Sequence, residues 1–529
     1  MGEDGTRADA LAATALLNCL IRELAQPADG AYLLPVSGQR LRVAGHGRWP
    51  ADPALSTPDG WQPLALAELV ALTEQELKAR TGVANATLAA EIADSRDVIA
   101  ALLAAREQLR PPADANLRSE QALLAGHRYH PAAKTRGGGP PSSWLPYAPE
   151  AYAAFPLTLL GVREDLLAGE GDTGVLDVLR GAAAPEGYRL LPAHPWQLRL
   201  LGDHPALHDG RLRLLGETTE RGWATSSLRT VYLPDSDLFL KFSLEVRITN
   251  DVRRLWLRDL RWLAPVDELM AKTFADAPEG ASMLADRGYR TADLGGEDAY
   301  EAFAVLLRDG FGTAPGAGGD LGADLGAGLG AGRRPLLAAG ISEGFPGNPL
   351  DGLTADQARS WWRRYVERIA RPVLHAFFRH GVVLECHLQN VLVAMDRSGL
   401  PARAVFRDHE GVKLLTERHA GLLAVFGPDV PTPGVPAAYG WQRLVYCLVT
   451  NNLLEIAGAV TERHPGLSAE LWPLARTVFE DYADQPEVRG LLASPTVPAK
   501  TNLLLRWLDA DGGDSTYTPL ANPLFSGCG

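Results

Sequence analysis

The sequence predicts an α+β protein with an N-terminal helical region, a β-rich middle and a mixed, mainly helical C-terminal region. Three observations support this prediction. Residues 8–26 and 64–110 are rich in Ala, Leu, Glu and Arg, with apolar residues at helical spacing. Between about residues 126 and 245, Pro and Gly become frequent and short strand-like runs appear. From about residue 352 the helical pattern returns.

The N-terminal region is predicted to span residues 1–125. Apolar residues recur at helical intervals through its second half, as at Ile92, Val98, Ile99 and Leu102. A short β-like patch at residues 32–43 interrupts the helices.

The middle region is predicted to span residues 126–345. Its strand-like runs are residues 188–192, 231–233 and 238–244. A Gly/Ala-rich stretch at 309–334 cannot bury enough apolar surface to offset the entropy of ordering. We therefore expect a disordered surface loop there, and we expect deletion of residues 312–332 to leave fold and activity largely intact.

The C-terminal region, residues 346–529, is predicted to combine helices with a strand pair. Helical patterns cover residues 361–380, 441–460 and 469–482. Between the first two lie an apolar strand-like run at 384–393 and a short hairpin-like return.

Composition and charge narrow the class of protein. A chain of 529 residues is too long for one compact core, so two or three domains are expected. A formal net charge of −13 argues against a general nucleic-acid binder, which needs a basic surface to replace counterions. An anionic small ligand stays possible, because a local cluster of Arg and Lys can occur in an acidic protein.

The cysteines and the N-terminus predict a cytoplasmic protein. The four cysteines are scattered without a C-x-x-C pair, which argues against a disulfide framework or a zinc site and fits a reducing compartment. No basic segment precedes an apolar run at the N-terminus, so no signal peptide is evident. We also expect no membrane span, because no apolar stretch approaches about 20 residues.

The most informative stretch is the run 384–393 with the acidic residues that follow its return. The polar residues of this stretch are His387, Gln389, Asn390, Asp408 and Glu410. An amide and a carboxylate on neighbouring strands supply hard oxygen ligands to Mg²⁺, and a nearby imidazole can bind a phosphate or a substrate carboxylate. The pattern predicts ATP chemistry in a chain without a G-x-x-x-x-G-K-[ST] phosphate loop.

Residues 126–139 form a second candidate segment that combines histidines, basic residues and glycines. Glycines let a backbone approach a ligand closely, and basic side chains supply charge for phosphates. The candidates here are His130, Lys134 and Arg136, although a solvated basic loop explains the segment equally well. Residues 194–197, His-Pro-Trp-Gln, are predicted to begin a helix.

Residues 224–231 place consecutive hydroxyl residues before an arginine and a strand. Ser227, Arg229 and Thr230 can hold phosphate oxygens through charge-assisted hydrogen bonds, but such runs also occur in plain turns. Lys241 lies in an otherwise apolar strand, where a lysine is costly unless it is paired. Pairing with a nucleotide phosphate is one solution, and an edge strand with a snorkelling lysine is the other.

Two further cationic positions complete the set. Thr249 and Asn250 are predicted to cap a helix that presents Arg253 or Arg254. Lys500 immediately precedes an apolar helical run. Taken alone, each also fits an ordinary helix surface.

In this order, the motifs resemble the IucA/IucC family of siderophore synthetases, which act independently of nonribosomal peptide assembly lines. The resemblance covers roughly residues 120–510. Each motif is short, but the seven motifs in this order make a specific signal. They are G-H-x-x-H-P-x-x-K-x-R, H-P-W-Q, S-S-x-R-T, K-x-x-L-x-x-x-I-T-N-x-x-R, H-x-Q-N, R-D-x-x-G and P-x-K-x-x-L-x-x-R.

The resemblance implies a fold, an activity and cofactors. The family fold is a cradle with thumb, fingers and palm regions, onto which the three predicted regions map. Such enzymes use ATP and Mg²⁺ to convert a carboxylate, typically of citrate, to an acyl-adenylate, and an amine or hydroxyl nucleophile then displaces AMP. The expected partners are therefore small molecules, without nucleic acid or membrane, and a homodimer is compatible with the family.

The resemblance also implies roles for individual residues. Contacts to ATP are implied for His130, Lys134, Arg136, Ser227, Arg229, Thr230, Lys241 and Asn390. Mg²⁺ would be held by Asp408 and Glu410. The acid substrate and its reaction would involve Thr249, Arg253, His387, Gln389 and Lys500. Since adenylation develops negative charge on phosphate oxygens, positioned cations and a metal are the expected catalysts.

A kinase-like phosphotransferase is the main alternative. His387 and Asn390 followed by Asp408 are similar to the catalytic-loop Asn and metal-binding Asp of kinases, with Lys241 as the strand lysine. However, the catalytic Asp and the Gly-rich loop before the lysine are missing from the sequence. A non-enzymatic carboxylate- or siderophore-binding protein would not need both a metal pair and a phosphate cluster.

The particular substrates stay open at this point. Free citrate, 2-oxoglutarate or an already amidated or esterified acid would all suit, with Glu410 in R-D-x-E-G favouring free citrate. Diamines, hydroxylated diamines, amino acids and amino alcohols are all compatible nucleophiles.

Overall fold

The computed structural model describes residues 3–137, 139–248, 251–312, 334–425, 427, 430–510 and 516–526. Helices make up 44% of the chain and strands 25%, which confirms the predicted α+β class. Most of the Gly/Ala-rich stretch, together with Thr249 and Asn250, lies outside the described residues. The disorder of that stretch, the region boundaries and the thumb, fingers and palm arrangement therefore stay predictions.

The N-terminal region packs helices against a small sheet. The helices are α1 (Glu3–Glu23), α2 (Leu66–Thr81), α3 (Leu88–Gln108) and α4 (Ala115–Glu120). The sheet is an antiparallel meander of β1 (Gln26–Ala28), β2 (Ala31–Leu33), β3 (Arg40–His46), β4 (Trp49–Thr57) and β5 (Gly60–Pro63). It is more extensive than the predicted patch at 32–43, because Pro50 and Pro53 within β4 disguise the strand pattern.

The core of this region closes against a segment near the C-terminus. Leu16 and Leu20 of α1 are fully buried with Leu503 and Trp507, which come from the last third of the chain. The carboxylate of Glu23 accepts the backbone N–H of Leu503 at 2.9 Å. The N-terminal helices are therefore held in place by the end of the C-terminal region.

The middle region is built around an eight-stranded antiparallel sheet. In spatial order its strands are β7 (Leu167–Gly171), β15 (Asp286–Ala292), β16 (Val305–Asp309), β11 (Leu238–Phe242), β10 (Thr230–Leu233), β9 (Leu212–Ala224), β6 (Ala154–Arg163) and β8 (Tyr188–Ala193). This order confirms strands at the predicted runs 188–192 and 231–233, and at the first part of 238–244.

Short elements flank this sheet. They are α5 (Pro141–Trp144), α6 (Pro195–Leu201), α7 (Leu257–Leu260), α8 (Leu263–Ala275), α9 (Glu297–Ala302) and the hairpin of β12 (Leu244–Ile248) with β13 (Asp251–Arg253). The helix expected at 194–197 is confirmed as α6. The helix expected to present Arg253 or Arg254 is wrong, because Arg253 pairs with Leu244 in the hairpin and α7 begins only at Leu257.

The C-terminal region contains the helices predicted at 361–380, 441–460 and 469–482, together with others. Its helices are α10 (Ala338–Glu343), α11 (Ala355–His380), α12 (Thr416–Leu423), α13 (Ala437–Val445), α14 (Leu454–Arg463), α15 (Leu471–Glu480), α16 (Pro486–Ala493) and α17 (Asn502–Trp507). A capping box of Thr354 and Gln357 begins α11, and Gly381, with φ of +67°, ends it.

Small sheets fill the space between these helices. A four-stranded sheet has the order β14 (Ser282–Met283), β20 (Pro401–Phe406), β19 (Val391–Met395) and β17 (Leu336–Leu337). The remaining strands are β18 (Val382–Val383), β21 (Lys413–Leu415), β22 (Gly434–Val435), β23 (Thr496–Lys500) and β24 (Tyr517–Ala521). The β19–β20 hairpin contains the predicted return, but of the strand predicted at 384–393 only residues 391–393 are in β19. Residues 388–390 form a short 3₁₀ turn before it.

A long apolar helix runs from Ala437 to Arg463 and includes a π-helical stretch at Tyr446–Leu453. By length and composition it could cross a membrane, so the expectation that no apolar stretch approaches that length is wrong. Its most apolar window is 78% buried inside the protein, which is the environment of a core helix.

An apolar cluster joins the eight-stranded sheet to the β19–β20 hairpin. Tyr232 of β10 and Phe239 of β11 pack there with Leu392 and Val405 of the hairpin. Side chains two positions apart along a strand lie on the same face. Lys241, two residues after Phe239, therefore faces the hairpin at the point where β20 ends.

Candidate active site

The centre of the site is an ion cluster around Lys241. Its Nζ lies 2.8 Å from Oδ1 of Asp408 and 2.6 Å from Oε2 of Glu410. The lysine side chain is 3% exposed, while those of Asp408 and Glu410 are 25% and 30% exposed. A buried ammonium requires paired charges, and these carboxylates provide them while keeping one side accessible.

Two arginines also contact the carboxylates of this cluster. Nη2 of Arg229 lies 3.2 Å from Oε2 of Glu410, and Nη2 of Arg308 lies 3.4 Å from Oδ1 of Asp408. Burial opposes ionisation of Asp408, but Lys241 and Arg308 hold its pKa well below the usual range. Burial likewise opposes ionisation of Glu410, and Lys241 and Arg229 lower its pKa. Both carboxylates are therefore ionised at neutral pH.

The backbone of Asp408 has an unusual conformation. Its φ is +78°, in the left-handed region that aspartate enters more readily than most residues. Such conformations cost roughly 1–3 kcal/mol and concentrate at functional sites. Here the turn redirects the chain at the end of β20 and brings Asp408 and Glu410 to the same lysine.

Hydroxyl residues lie beside this cluster. Thr230 is directly opposite Lys241 in the β10–β11 ladder. Oγ of Ser227 lies 2.6 Å from Oγ1 of Thr230. The structure thus brings Ser227, Arg229, Thr230 and Lys241 together, as the sequence analysis expected of a phosphate site.

The segment before β19 holds the next group of predicted residues. Nδ2 of Asn390 donates to the backbone oxygen of Glu385 at 3.2 Å and lies 3.4 Å from Nε2 of His387. The carboxylate of Glu385 contacts Nη2 of Arg443 at 2.5 Å. Burial lowers the pKa of His387, although Glu385 opposes this effect, so the imidazole is neutral at pH 7.

Lys500 and His127 lie near His387. Burial, followed by repulsion from Arg443, lowers the pKa of Lys500. Burial and the nearby Arg22 lower the pKa of His127 to about 4, and His387 and Lys500 contribute in the same direction. The first and last motifs of the sequence thus meet around His387.

Gln389 belongs to a hydrogen-bond network that connects the eight-stranded sheet to the four-stranded sheet. Arg407 contacts Glu120 through 2.6 and 3.1 Å hydrogen bonds and donates to the backbone oxygen of Gln389 at 2.8 Å. It also donates to Oγ of Ser226 at 3.2 Å, and Nε2 of Gln389 lies 3.5 Å from that oxygen. This network fixes the hydroxyl-rich turn relative to the segment before β19.

The remaining predicted cations occupy a different environment. Lys134 and Arg136 both pair with the buried carboxylate of Glu150, the arginine at 3.0 Å. His130 is 2% exposed, and its Nδ1 accepts the backbone N–H of Ala132. These contacts stabilise the loop at 126–137 and give Lys134 and Arg136 a shared structural partner in Glu150.

A cavity of about 380 Å³ adjoins the ion cluster. Its polar and aromatic lining includes Arg229, Arg253, Arg254, Trp256, Asp259, Glu410 and Lys413. Burial, together with Arg229, lowers the pKa of Arg253. Burial and then Glu410 raise the pKa of Asp259 to about 6. The cavity thus offers several cations and one readily protonated carboxylate to a ligand.

Several residues of the site were not among the candidates predicted from the sequence. They are Glu120, Asp259, Arg308, Glu385, Arg407, Lys413 and Arg443. Arg407 stands next to Asp408 in R-D-x-x-G, so its place in the motif was a usable signal. Glu385 lies in the run 384–393, two residues before His387, which was a second usable signal. The others lie in sequence contexts without a motif, and only tertiary contacts bring them to the site.

Two family profiles match this chain. That of the IucA / IucC family matches residues 115–324. That described as ferric iron reductase FhuF-like transporter matches residues 359–515. The first range contains Ser227, Arg229 and Lys241, and the second contains Asp408 and Glu410.

Characterised relatives resemble the chain over most of their length. The L-2,3-diaminopropanoate–citrate ligase of Staphylococcus aureus is 27% identical over 448 residues, covering 77% of this chain and 74% of the relative. The rhizobactin siderophore biosynthesis protein RhbC of Rhizobium meliloti is 29% identical over 461 residues, covering 77% and 75%.

Solved structures share the fold. The ATP-bound aerobactin synthetase IucA from a hypervirulent Klebsiella pneumoniae superposes with a TM-score of 0.80 at 23% identity, covering 98% of this chain and all of that one. The fold, the ordered motifs and the matching profiles agree. The chain resembles the IucA / IucC family over residues 115–324 and shares the fold of the solved aerobactin synthetase.

Proposed function

We propose that this chain is an ATP-dependent siderophore synthetase. It adenylates a carboxylate of citrate, or of a related polycarboxylic acid, and condenses it with an amine or hydroxyl nucleophile, releasing AMP and pyrophosphate. The observation that carries the proposal is the cluster in which Lys241 and Arg229 surround the ionised carboxylates of Asp408 and Glu410. Relatives named as a citrate ligase and a siderophore biosynthesis protein support the same reaction class.

The ATP phosphates would bind beside this cluster. Arg229 and Lys241 supply positive charge, and Ser227 and Thr230 supply hydroxyl donors from the adjacent strand. In the first step, a carboxylate oxygen of the acid attacks the α-phosphorus of ATP, and the bond to pyrophosphate breaks. Negative charge grows on the phosphate oxygens at that moment, so cations fixed in a buried sheet stabilise the transition state.

Asp408 and Glu410 fit a Mg²⁺ ion by the chemistry of their donor atoms. Mg²⁺ in nucleotide sites is usually held by one or two carboxylates together with phosphate oxygens. Both residues are ionised, and each keeps part of its side chain accessible. When bound, the ion would neutralise charge on the leaving pyrophosphate.

The acid and the nucleophile would react next to His387. The cavity that reaches Arg229 is lined by Arg253, Arg254 and Lys413, and these cations suit an acid with several carboxylates. In the second step the nucleophile attacks the acyl carbon and the bond to AMP breaks. An amine releases a proton in this step, and the neutral imidazole of His387 can accept it.

The kinase-like alternative is not favoured by the relatives, which are named as ligases or biosynthesis proteins. We place the reaction in the cytoplasm, where ATP is available. The homodimer stays a prediction from the family.

The nucleotide product tests the proposed function. The purified full chain is incubated with ATP, Mg²⁺, citrate and hydroxylamine, and AMP, ADP, pyrophosphate and hydroxamate are quantified. Citrate-dependent AMP, pyrophosphate and hydroxamate are expected, and reactions without citrate and with Asp408→Asn serve as controls. ADP as the product would overturn the proposal. Hydroxamate formed only with 2-oxoglutarate or a citryl monoamide would correct the acid and keep the reaction class.

A further inference from the structure

Away from the candidate active site, Asp276 and two histidines converge at the C-terminal end of α11. Asp276 directly follows α8, and its Oδ1 lies 3.2 Å from Nε2 of His375 and 3.0 Å from Nε2 of His380. The two imidazole rings are 5.2 Å apart between centroids. One carboxylate oxygen therefore faces two ring nitrogens.

The distances from Oδ1 of Asp276 to the two imidazole nitrogens match those between neighbouring ligand atoms around a metal ion. Bonds from a transition metal to imidazole nitrogen or carboxylate oxygen are about 2.0–2.2 Å long. Two ligands at that distance are roughly 3.0 Å apart at an octahedral right angle and roughly 3.4 Å apart at the tetrahedral angle. The 3.0 and 3.2 Å separations lie in this range, and the three ligand atoms lie within 4.8 Å of one another.

We propose that Asp276, His375 and His380 form a binding site for a divalent transition-metal ion. Two imidazoles and one carboxylate are donors that Zn²⁺, Co²⁺, Ni²⁺ and Fe²⁺ accept, whereas Mg²⁺ prefers oxygen donors. The side chain of Asp276 is 51% exposed, and those of His375 and His380 are 22% and 19% exposed. Water can therefore reach the site and fill the remaining coordination positions.

The surrounding contacts hold the ligands in place. Glu279, just after Asp276, pairs with Arg371 of α11 at 2.7 Å. The backbone oxygen of His380 accepts a hydrogen bond from Nε2 of His419 at 2.8 Å. Ligands that are already ordered lose little entropy on binding.

The position of the site indicates a structural role. An ion bound there ties the end of α8 to the end of α11. The chain then continues through Gly381 and β18 to the segment that carries His387. Because an ion that binds only the folded protein stabilises it in proportion to its affinity, the metal should raise the melting temperature of the protein.

Metal binding to the chelator-treated full chain tests the proposal. Co²⁺ is titrated with the visible absorption spectrum as readout, and Zn²⁺ is titrated by calorimetry and thermal melting. We expect one equivalent of ion, a visible Co²⁺ band and a higher melting temperature with Zn²⁺. His375→Asn and His380→Asn should each weaken binding roughly tenfold or more and remove the melting shift. His208→Asn, which changes an exposed histidine paired with Asp203, should bind like the parent.

Two outcomes would contradict the proposed metal site. The first is a parent protein without a Co²⁺ band or a Zn²⁺-dependent melting shift, which would leave only two histidines hydrogen-bonded to an aspartate. The second is undiminished binding in both histidine variants, which would place the ion elsewhere. None of these readouts depends on catalytic turnover, so the result is independent of the proposed synthetase activity.

Discussion

Nζ of Lys241 lies 2.8 Å from Oδ1 of Asp408, although 167 positions separate the two residues in the chain. Lys241 belongs to β11 of the eight-stranded sheet, whereas Asp408 follows β20 of the four-stranded sheet. The lysine is 3% exposed and the aspartate 25%. The pair therefore connects two sheets and keeps one carboxylate accessible to a ligand.

Replacing Asp408 by Asn tests its proposed place in the metal site. Asparagine keeps the size of the side chain and tolerates the φ of +78°, so the charge is the main property lost. We expect kcat/KM for citrate-dependent AMP release to fall about a hundredfold or more. The melting temperature should also fall, because the buried Lys241 loses one of its two paired carboxylates. Asp203→Asn, at an exposed position, should be unaffected. Retained Mg²⁺-dependent turnover in Asp408→Asn would remove this residue from the metal site.

Replacing Lys241 by Met tests the cation between the two carboxylates. Without the ammonium, repulsion between Asp408 and Glu410 raises their pKa values, so the acidic limb of the pH–rate profile should move to higher pH. The KM for ATP should also rise roughly tenfold, equivalent to about 1.4 kcal/mol of lost binding. Steady-state kinetics from pH 5 to 9 measure both effects. The control is Lys272→Met, which removes a surface lysine paired with Glu268. If Lys241→Met had the kinetics of the parent, Lys241 would not bind the ATP phosphates.

Local patterns predicted the elements that carry the site. The run 384–393, which carries His387, Gln389 and Asn390 near its start, leads into β19, and the acidic pair follows β20. The polar residues themselves lie in the turn before β19 and not in the strand. The helix expected near Arg253 did not form, because pairing with β12 outweighed the local capping signal. The five strands near the N-terminus were mostly missed, since prolines and glycines interrupt their alternation.

The partners of the site residues could not be predicted in the same way. Arg308 contacts Asp408 from β16, and Arg443 contacts Glu385 from the helix α13. Neither arginine lies in a motif, and an arginine on a strand or helix is usually a surface residue. Their roles depend on which elements pack together, which is a property of the whole fold.

The buried pair of Arg407 and Glu120 should stabilise the junction between the sheets. The arginine is 5% exposed and the glutamate fully buried. Arg407→Met leaves that carboxylate without its main partner, so we expect a loss of about 3–5 kcal/mol in the free energy of unfolding, measured in urea. The double variant with Glu120→Gln should lose less than the sum of the single changes. The control is Arg163→Met, which removes an exposed ion pair with Asp165 and should leave the free energy of unfolding unchanged. An equally small effect of Arg407→Met would show that this pair does not stabilise the junction between the sheets.

His194 should make the stability of the protein depend on pH. The residue is 1% exposed, its Nδ1 accepts the backbone N–H of Trp196 at 3.1 Å, and its ring packs against Phe155 and Phe242. Burial lowers its pKa to about 3. In the unfolded chain the pKa is about 6.5. The stabilisation is therefore complete above pH 6.5 and is lost progressively as the pH falls towards 3.

The variant His194→Asn isolates this effect, because asparagine can still cap α6 but does not titrate. Between pH 7.5 and 5, the parent should lose about 2 kcal/mol relative to the variant. Urea unfolding of both proteins at the two pH values measures this difference, and the other titrating groups cancel in the comparison. If the difference in unfolding free energy were the same at both pH values, His194 would not be held neutral by its apolar surroundings, and its role would be reduced to packing and capping.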